Sequence, residues 1–517
     1  MKMKTYLTSP LWHTIDGVSV RGYIVVDGRM LCGDDMAHYF AEAKNVNYLR
    51  WKLEAAEGLF AVVVARERWS AIAVDRMRSI PLFYSSEGIA DTPYPLAPSP
   101  FVLDETSAMV YKASAATFPG STLDKRVSQV EAGTIVCFDT IGFDQQIGYV
   151  SYYSHLCQAS DEHPSTVSAL SEAMDVAFAN LSLSLSNRPV VVPLSGGYDS
   201  RLIACHLKAL GISNVVCFNV GMPGSNEEAV ARRVAATLGF DYHFVDASSR
   251  EVFTPEIYAD EDFRRYYRHL GGYTNFVWLF EYMAMRYLLR QGLVSQDAVV
   301  VPGHSADSLA GSHLAKGGIA INSTASQMAR AMVYRSFEYK ASFRLYKWME
   351  HHCERLLNQG YTPVSVYQDF IMQHRQAQQI VNSARVYEHF GLGLRLPFWD
   401  KALLQFFRTL SYSQLYACRL YEQYAHEVFQ KHGVDFPRAD GKAVVPASYF
   451  RLWLKRHLPN AIVSRMTHAT SATGEDIMVQ PLIDELRRAG VYSSHHQPLS
   501  SNEVLRDWYF HRCLTDC

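Results

Sequence analysis

Val190-Val191-Val192-Pro193-Leu194-Ser195-Gly196-Gly197-Tyr198-Asp199-Ser200-Arg201 is the stretch on which the reading of this chain turns. A β-branched run opens it, Ser-Gly-Gly follows, and residues 202–210 read as a helix. The order is strand, tight loop, helix start. Glycines at 196 and 197 let backbone amides come close to a ligand, and the first turn of a helix adds partial positive charge. Such a loop suits phosphate. Asp199 runs against this, because a lone carboxylate repels phosphates unless it holds a divalent cation that bridges to them. An ordinary strand-to-helix turn also carries Gly, Ser and Asp, so the loop alone leaves both readings open.

Downstream, residues 215–220 read as the next strand. Ser225-Asn226-Glu227-Glu228 opens a helix that closes at Leu238-Gly239, with acids in its first turn and glycine at its end. Residues 242–245 give a third strand, and this alternation predicts a parallel sheet with right-handed crossovers. Residues 249–291 read as mostly helical. Ala298-Val299-Val300-Val301 is again a buried strand, and it runs into Pro302-Gly303-His304-Ser305-Ala306-Asp307-Ser308-Leu309-Ala310-Gly311. Ligands of parallel sheets bind beyond the carboxyl ends of the strands. Asp199 and Asp307 both stand in glycine-bearing loops at such ends, where two carboxylates facing one crevice suit a magnesium ion on a triphosphate. The competing reading of Asp307 is a helix N-cap before Ser308-Leu309. Beyond Gly311 the chain reads as helical and aromatic-rich, broken by a loop at 436–446 and resumed at 449–457.

Upstream, the pattern to about Ser154 is strand-like. Tyr23-Ile24-Val25-Val26 precedes an Asp27-Gly28 turn; residues 59–65 and 71–74 flank the polar turn Arg66-Glu67-Arg68; Ile80-Pro81-Leu82-Phe83-Tyr84 reads as a third strand and Thr134-Ile135-Val136-Cys137-Phe138 as a fourth. Residues 35–44 read as a helix. Residues 158–164 are polar and turn-rich, and 166–183 have helical spacing. The expected domains are therefore 1–157 and 165–517. Composition is that of a globular protein, 48% hydrophobic and 19% charged over 517 residues. A formal net charge of -2 offers no electrostatic drive toward nucleic acid or an anionic membrane, and neither is expected as a partner. The nine cysteines include no C-x-x-C pair, which supports neither zinc nor a disulfide framework and fits a reducing cytoplasm. No apolar signal-like core follows Met1-Lys2-Met3-Lys4, and residues 276–289 are too short, and too interrupted by Glu281 and Arg286, to span a bilayer.

Ser195-Gly196-Gly197-Tyr198-Asp199-Ser200 resembles the S-G-G-x-D-S pyrophosphatase loop of the N-type ATP pyrophosphatases, and within that group the chain resembles the asparagine synthetase family. Gly303-His304-Ser305-Ala306-Asp307-Ser308-Leu309 is similar to that family's G-E-G-A-D-E-L loop, and Arg395-Leu396-Pro397-Phe398-Trp399-Asp400 to its R-V-P-F-L-D motif. Glu57-Gly58-Leu59-Phe60-Ala61, Asp75-Arg76, Pro81-Leu82-Phe83-Tyr84 and the segment 118–133 resemble its class II glutaminase domain. The resemblance implies an α/β protein: an α+β sandwich-like amidotransferase-type domain, then a parallel-sheet domain of the adenine-nucleotide alpha hydrolase kind with a helical C-terminal part. It implies an ATP- and magnesium-dependent ligase that adenylates a carboxylate, releases pyrophosphate and transfers the acyl group to ammonia or another amine. By that resemblance Ser195, Gly196, Gly197 and Ser200 cradle pyrophosphate, Asp199 and Asp307 hold Mg2+, Val220 and Gly303 contact the nucleotide, and Lys442 in Asp440-Gly441-Lys442 closes the site.

The departures bear on substrate. The family begins its mature glutaminase domain with a nucleophilic cysteine, whereas the first cysteine here is Cys32, and the N-G-E-I-Y-N glutamine-binding motif is absent. The first domain is thus expected to keep the fold as a platform without glutaminase activity. His304 stands where the family has glutamate and its β-lactam-forming relatives tyrosine; an imidazole there suits a base for the attacking amine, and a loop histidine bonded to a backbone carbonyl is the plainer reading. Ser308 and Gly393 replace two further acids, which argues against aspartate as substrate. Glu388 is a weak substitute for the acid lost at 393 and reads more readily as a solvated helix residue. A small-molecule, sugar or peptide carboxylate is the expected acid, as in relatives that amidate uronic acids of surface polysaccharides. Intramolecular ring closure, as in β-lactam or lasso-peptide relatives, and a catalytically silent partner protein are the alternatives. A homodimer stays open. A serine hydrolase with Ser305 in a near G-x-S-x-G elbow leaves the Ser195 loop unexplained, and a tRNA-thiolating relative sits poorly with the charge and the unpaired cysteines.

Overall fold

The computed structural model describes residues 4–97, 99–139, 147–336, 342–439, 474–498 and 500–516. Among them the strands form three sheets. The first has seven strands: β2 (His13–Ile15), β3 (Val18–Val26), β4 (Arg29–Cys32), β5 (Glu57–Ala65), β6 (Trp69–Val74), β10 (Thr134–Asp139) and β11 (Ile147–Ser151). They run antiparallel in the order β11-β10-β6-β5-β3-β2, with β4 on β3. The near-continuous apolar run of β5 follows from burial of both its faces. Phe60, Val62 and Val64 meet Met36, Phe40, Leu49 and Leu53 of the helices Gly33–Ala41 and Val46–Ala55, whereas Ala61 and Val63 meet Leu82, Tyr84 and Ile89 under a second sheet.

That second sheet has four strands, β1 (Thr5–Tyr6), β7 (Phe83–Ser85), β8 (Gly88–Ala90) and β9 (Ser128–Gln129), in the order β1-β8-β7-β9. The strand expected at 80–84 therefore starts only at Phe83, and it lies in a different sheet from the two before it. Arg78 turns the chain at a φ of 54°, and Pro81 has no N–H to give to a ladder.

The helix Val167–Leu185, capped by Thr166, leads into a third sheet of five parallel strands. These are β12 (Val190–Pro193), β13 (Val215–Gly221), β14 (Asp241–Asp246), β15 (Val299–Val300) and β16 (Gly393–Leu394), in the order β14-β13-β12-β15-β16. The chain moves outward from β12 on one side through β13 and β14, then crosses back to β15 on the other side. The order reverses at β12, and the crevice at its carboxyl end is where a sheet of this kind binds ligands. Helices make up most of the described chain beyond β15. No helix among the described residues is long and apolar enough to cross a membrane, and no disulfide joins the described cysteines.

Two ion clusters join the antiparallel sheets to the parallel one. Glu57 accepts from the Lys401 amide (2.8 Å) and pairs with Arg76 (3.3 Å). Glu388 is enclosed by Arg21 (3.3 Å), Arg385 (3.5 Å) and His269 (3.7 Å). Glu388 is thus neither a solvated helix acid nor a stand-in for the acid lost at Gly393; it is a pin between β3 and the parallel-sheet part. Burial works to raise its pKa, and the Arg21 charge, the His269 hydrogen bond and the Arg385 charge overcome that and hold it at about 2. Arg395 donates to the Ser184 carbonyl (2.7 Å) and lies 3.8 Å over the Tyr23 ring, while Asp400 accepts from Asn180 (2.8 Å) and caps the helix Lys401–Arg408. The 395–400 motif packs the two parts together.

Candidate active site

Because β12 and β15 are neighbours, their loops meet. A Cβ on Gly303 would stand 2.3 Å from the Ser200 amide nitrogen and 2.6 Å from its Cα, so only glycine lets the second loop lie on the first. Gly303→Ala is expected to cost about 1–3 kcal/mol in overpacking against backbone that has no rotamer to yield. Denaturant unfolding of the variant, alongside its nucleotide affinity, checks this, and both are expected to fall together. The two loops open into a cleft of ≈ 680 Å³ lined by Ser195, Asp199, Asn219, Val220, His304 and Asp307 among others.

Gly197 is the N-cap of the helix Tyr198–Ala209, and no side chain caps that end. Its first-turn amides are therefore open to an anion. The hydroxyls of Ser195 and Ser200 bond each other at 3.0 Å, and Ser195 Oγ accepts from the Gly197 amide at 3.2 Å. Gly196 lies under Ala439, whose amide donates to its carbonyl (3.3 Å). At the end of β13, Asn219 donates to the Leu194 carbonyl (3.2 Å), and its buried Oδ1 has no partner among the described residues.

Asp199 and Asp307 are brought together as expected. The Asp307 amide donates to Asp199 Oδ2 (3.1 Å), and Tyr421 donates to Oδ1 (2.8 Å). Burial, and then the Asp307 charge, push the Asp199 carboxyl well up from the usual range. Asp307 also pairs with Lys316 at 3.7 Å. It is not a helix N-cap: the short helix is Ala306–Leu309, and its cap position is Ser305. Among the described residues there is no group of three or more His, Cys, Asp or Glu able to hold a metal. Magnesium on a nucleotide needs one or two carboxylates, the phosphates and water, so the pair fits it, and a cation would relieve the repulsion that raises Asp199.

Ser305 has a φ of 79°, the left-handed turn of an elbow, but its hydroxyl donates to Gln376 Oε1 (2.5 Å) and no histidine among the described residues bonds it. That geometry gives the hydrolase reading no base. His304 lines the cleft half-buried, its ring edge-on to Trp278 at 5.9 Å. Its buried Nδ1 has no partner among the described residues, so the reading of a histidine bonded to a backbone carbonyl gains nothing at that atom. Burial lowers its pKa to about 4, which keeps the ring neutral near pH 7. Lys442 lies outside the described residues.

The sequence profile of the asparagine synthase family matches residues 179–516. The chain belongs to the asparagine synthase family. A segment of 142 residues is 32% identical to a probable glutamine-hydrolysing asparagine synthetase of Acanthamoeba polyphaga mimivirus, covering 24% of this chain and 26% of that protein. The chain thus spans about a quarter of the length of this relative. Among solved structures, the NH3-dependent NAD synthetase of Campylobacter jejuni subsp. jejuni NCTC 11168, in complex with the nitrate ion, aligns over 37% of this chain and 86% of its own, with 18% identity and a TM-score of 0.20. Asparagine synthase family members are normally ATP-dependent carbon–nitrogen ligases.

Sequence reasoning missed several residues of the cleft wall. Arg375 and Gln376 sit on a π-helical segment, Ile371–Val381, and Gln376 ties Ser305 and Ser308 (2.7 Å to the latter). Glu281, at the start of the helix Phe280–Arg290, also lines the cleft, and burial raises its carboxyl. The 276–289 stretch had drawn notice only as an apolar run that Glu281 interrupts. That interruption was the signal, since an acid inside a buried helix needs a reason.

Proposed function

We propose that this protein is an amide-forming ligase that adenylates a carboxylate with ATP and passes the acyl group to ammonia or another amine. The observation that carries the reading is the contact of the β12 and β15 loops at the switch point, with Asp199 and Asp307 side by side. The acid's oxygen attacks the α-phosphorus and pyrophosphate leaves; the amine then attacks the acyl carbon and AMP leaves. The Ser195–Ser200 loop and the open helix end bind the departing pyrophosphate. Asp199 and Asp307 would hold the magnesium ion, which supplies charge neutralisation on the phosphates. Val220 and Gly303 border the nucleotide through backbone groups, and Asn219 Oδ1 is free to accept from an exocyclic amine of the base.

His304, neutral and facing the cleft, takes the proton that the attacking amine sheds. His304→Gln is expected to slow amide formation about a hundredfold or more while pyrophosphate–ATP exchange persists, since the proton transfer belongs to the second half-reaction. Equal loss of both half-reactions would make the residue structural. Labelled pyrophosphate exchange into ATP, driven by a pool of carboxylic acids, tests the reading as a whole. A chain that neither binds magnesium–ATP nor exchanges pyrophosphate is instead a silent synthetase-like partner. Uronic acids of polysaccharides remain our favoured acids, and the amine comes as free ammonia or from another protein.

A further inference from the structure

Among the described residues three cations line the cleft, and they differ in how they are used. Lys316 stands 3.7 Å from Asp307, and Arg438 pairs with Glu422 at 2.7 Å. Arg375 is half-buried and makes no hydrogen bond or ion pair among the described residues. The next residue, Gln376, clamps Ser305 and Ser308 of the second loop, and Arg375 lines the same cleft as His304. π-helical turns inside helical segments commonly mark functional sites. Ile371 and Ile380 of the same segment give the wall an apolar surface around the charge. A half-buried guanidinium without a counter-ion loses hydration that an anionic ligand would offset.

We propose that Arg375 selects the acid substrate by binding a second, non-reacting anionic group on it, a carboxylate or a phosphate. The proposal rests on the ligase reading. The reacting carboxylate loses its charge on adenylation, so an arginine paired with it would hold the ground state and oppose the first step. A non-reacting anion keeps its pair with Arg375 in the acid and in the acyl-adenylate, which is uniform binding of the kind that positions a substrate. The acid taken by this cleft is therefore a dianion or higher; a uronic acid qualifies only where it carries a second anionic group, such as a neighbouring uronate or a phosphate.

The test uses the full chain with magnesium and the non-hydrolysable analogue AMPCPP, and three probes followed by ligand-observed NMR: butyrate, succinate and 3-phosphonopropionate. Succinate, 3-phosphonopropionate or both are expected to bind on the order of ten- to hundredfold tighter than butyrate, and the tighter of the two assigns the group as carboxylate or phosphate. Arg375→Met should erase the preference, and Arg375→Lys should keep part of it, because lysine retains the charge without the planar fork. AMPCPP affinity should be the same in all three proteins. Equal binding of all probes by the wild-type chain, or a preference that survives Arg375→Met, overturns the proposal. So does loss of AMPCPP affinity in Arg375→Met, which would give the residue to the nucleotide phosphates. No AMPCPP binding by the wild-type chain sinks the ligase reading and this proposal with it, whereas nucleotide binding without a dianion preference sinks this proposal alone.

Discussion

Asp199→Asn is expected to abolish pyrophosphate–ATP exchange under the proposed ligase reading, by about a thousandfold or more, without destabilising the fold. The loss follows from removing one of the two carboxylates that answer the charge on the phosphates, in a site where electrostatic stabilisation is worth several kcal/mol. The unchanged fold follows from the surroundings of Asp199. Its carboxyl is buried beside Asp307 and pushed well up, so the charged form is already disfavoured in the free protein. Asparagine fits the same contacts: its amide oxygen accepts from the Asp307 N–H and its amide nitrogen donates to Tyr421. Exchange assays paired with thermal unfolding check both halves. A variant that unfolds earlier by several degrees would mean that Asp199 is a structural acid.

Glu388→Gln is expected to destabilise the protein by about 3–5 kcal/mol, the usual cost of stripping the partner from buried charge. The change leaves Arg21, Arg385 and His269 facing one another across the junction between the antiparallel and parallel parts. The sign of its pH dependence follows from the depressed pKa. Glu388 titrates at about 2 in the folded chain, below its unfolded range, so its contribution is complete above about pH 4.5 and fades as pH falls toward 2. The gap between wild type and Glu388→Gln in urea unfolding should therefore be full at pH 7 and shrink below about 4.5. A gap that does not depend on pH would remove the electrostatic account. Pyrophosphate exchange by the folded fraction should be untouched, because Glu388 lies away from the cleft lining.

Much of the fold and half of the site are legible in the chain because local chemistry decides them. The β-branched run at 190–192 leads into a glycine loop that lies close to other groups: a Cβ on Gly196 would stand 2.3 Å from that of Ala439, and Gly303 of the second loop lies as tightly against Ser200. Asp199 and Asp307 meet because β12 and β15 are adjacent, which strand order dictates once the sheet is parallel. What escaped is what depends on distant partners. β16 is two residues long, too short for any periodicity, and is a strand only because β15 is beside it. Glu388 looked like a surface acid because Arg21 lies far off in sequence. Arg375 and Gln376 sat in a stretch read simply as helical, since hydrophobic spacing does not separate a π-helical segment from an α-helix. The 395–400 motif was recognisable by resemblance, but that it packs the two parts together is visible only from the contact of Arg395 with Tyr23.

The nucleotide product tests the central claim most directly. The full chain is incubated with magnesium, ATP, ammonium and a pool of sugar, small-molecule and peptide carboxylates, and its products are separated by mass spectrometry. The account predicts AMP and pyrophosphate in equal amounts, together with one amide. ADP and phosphate in their place would contradict it, because the Ser195 loop would then be gripping something other than the leaving half of ATP.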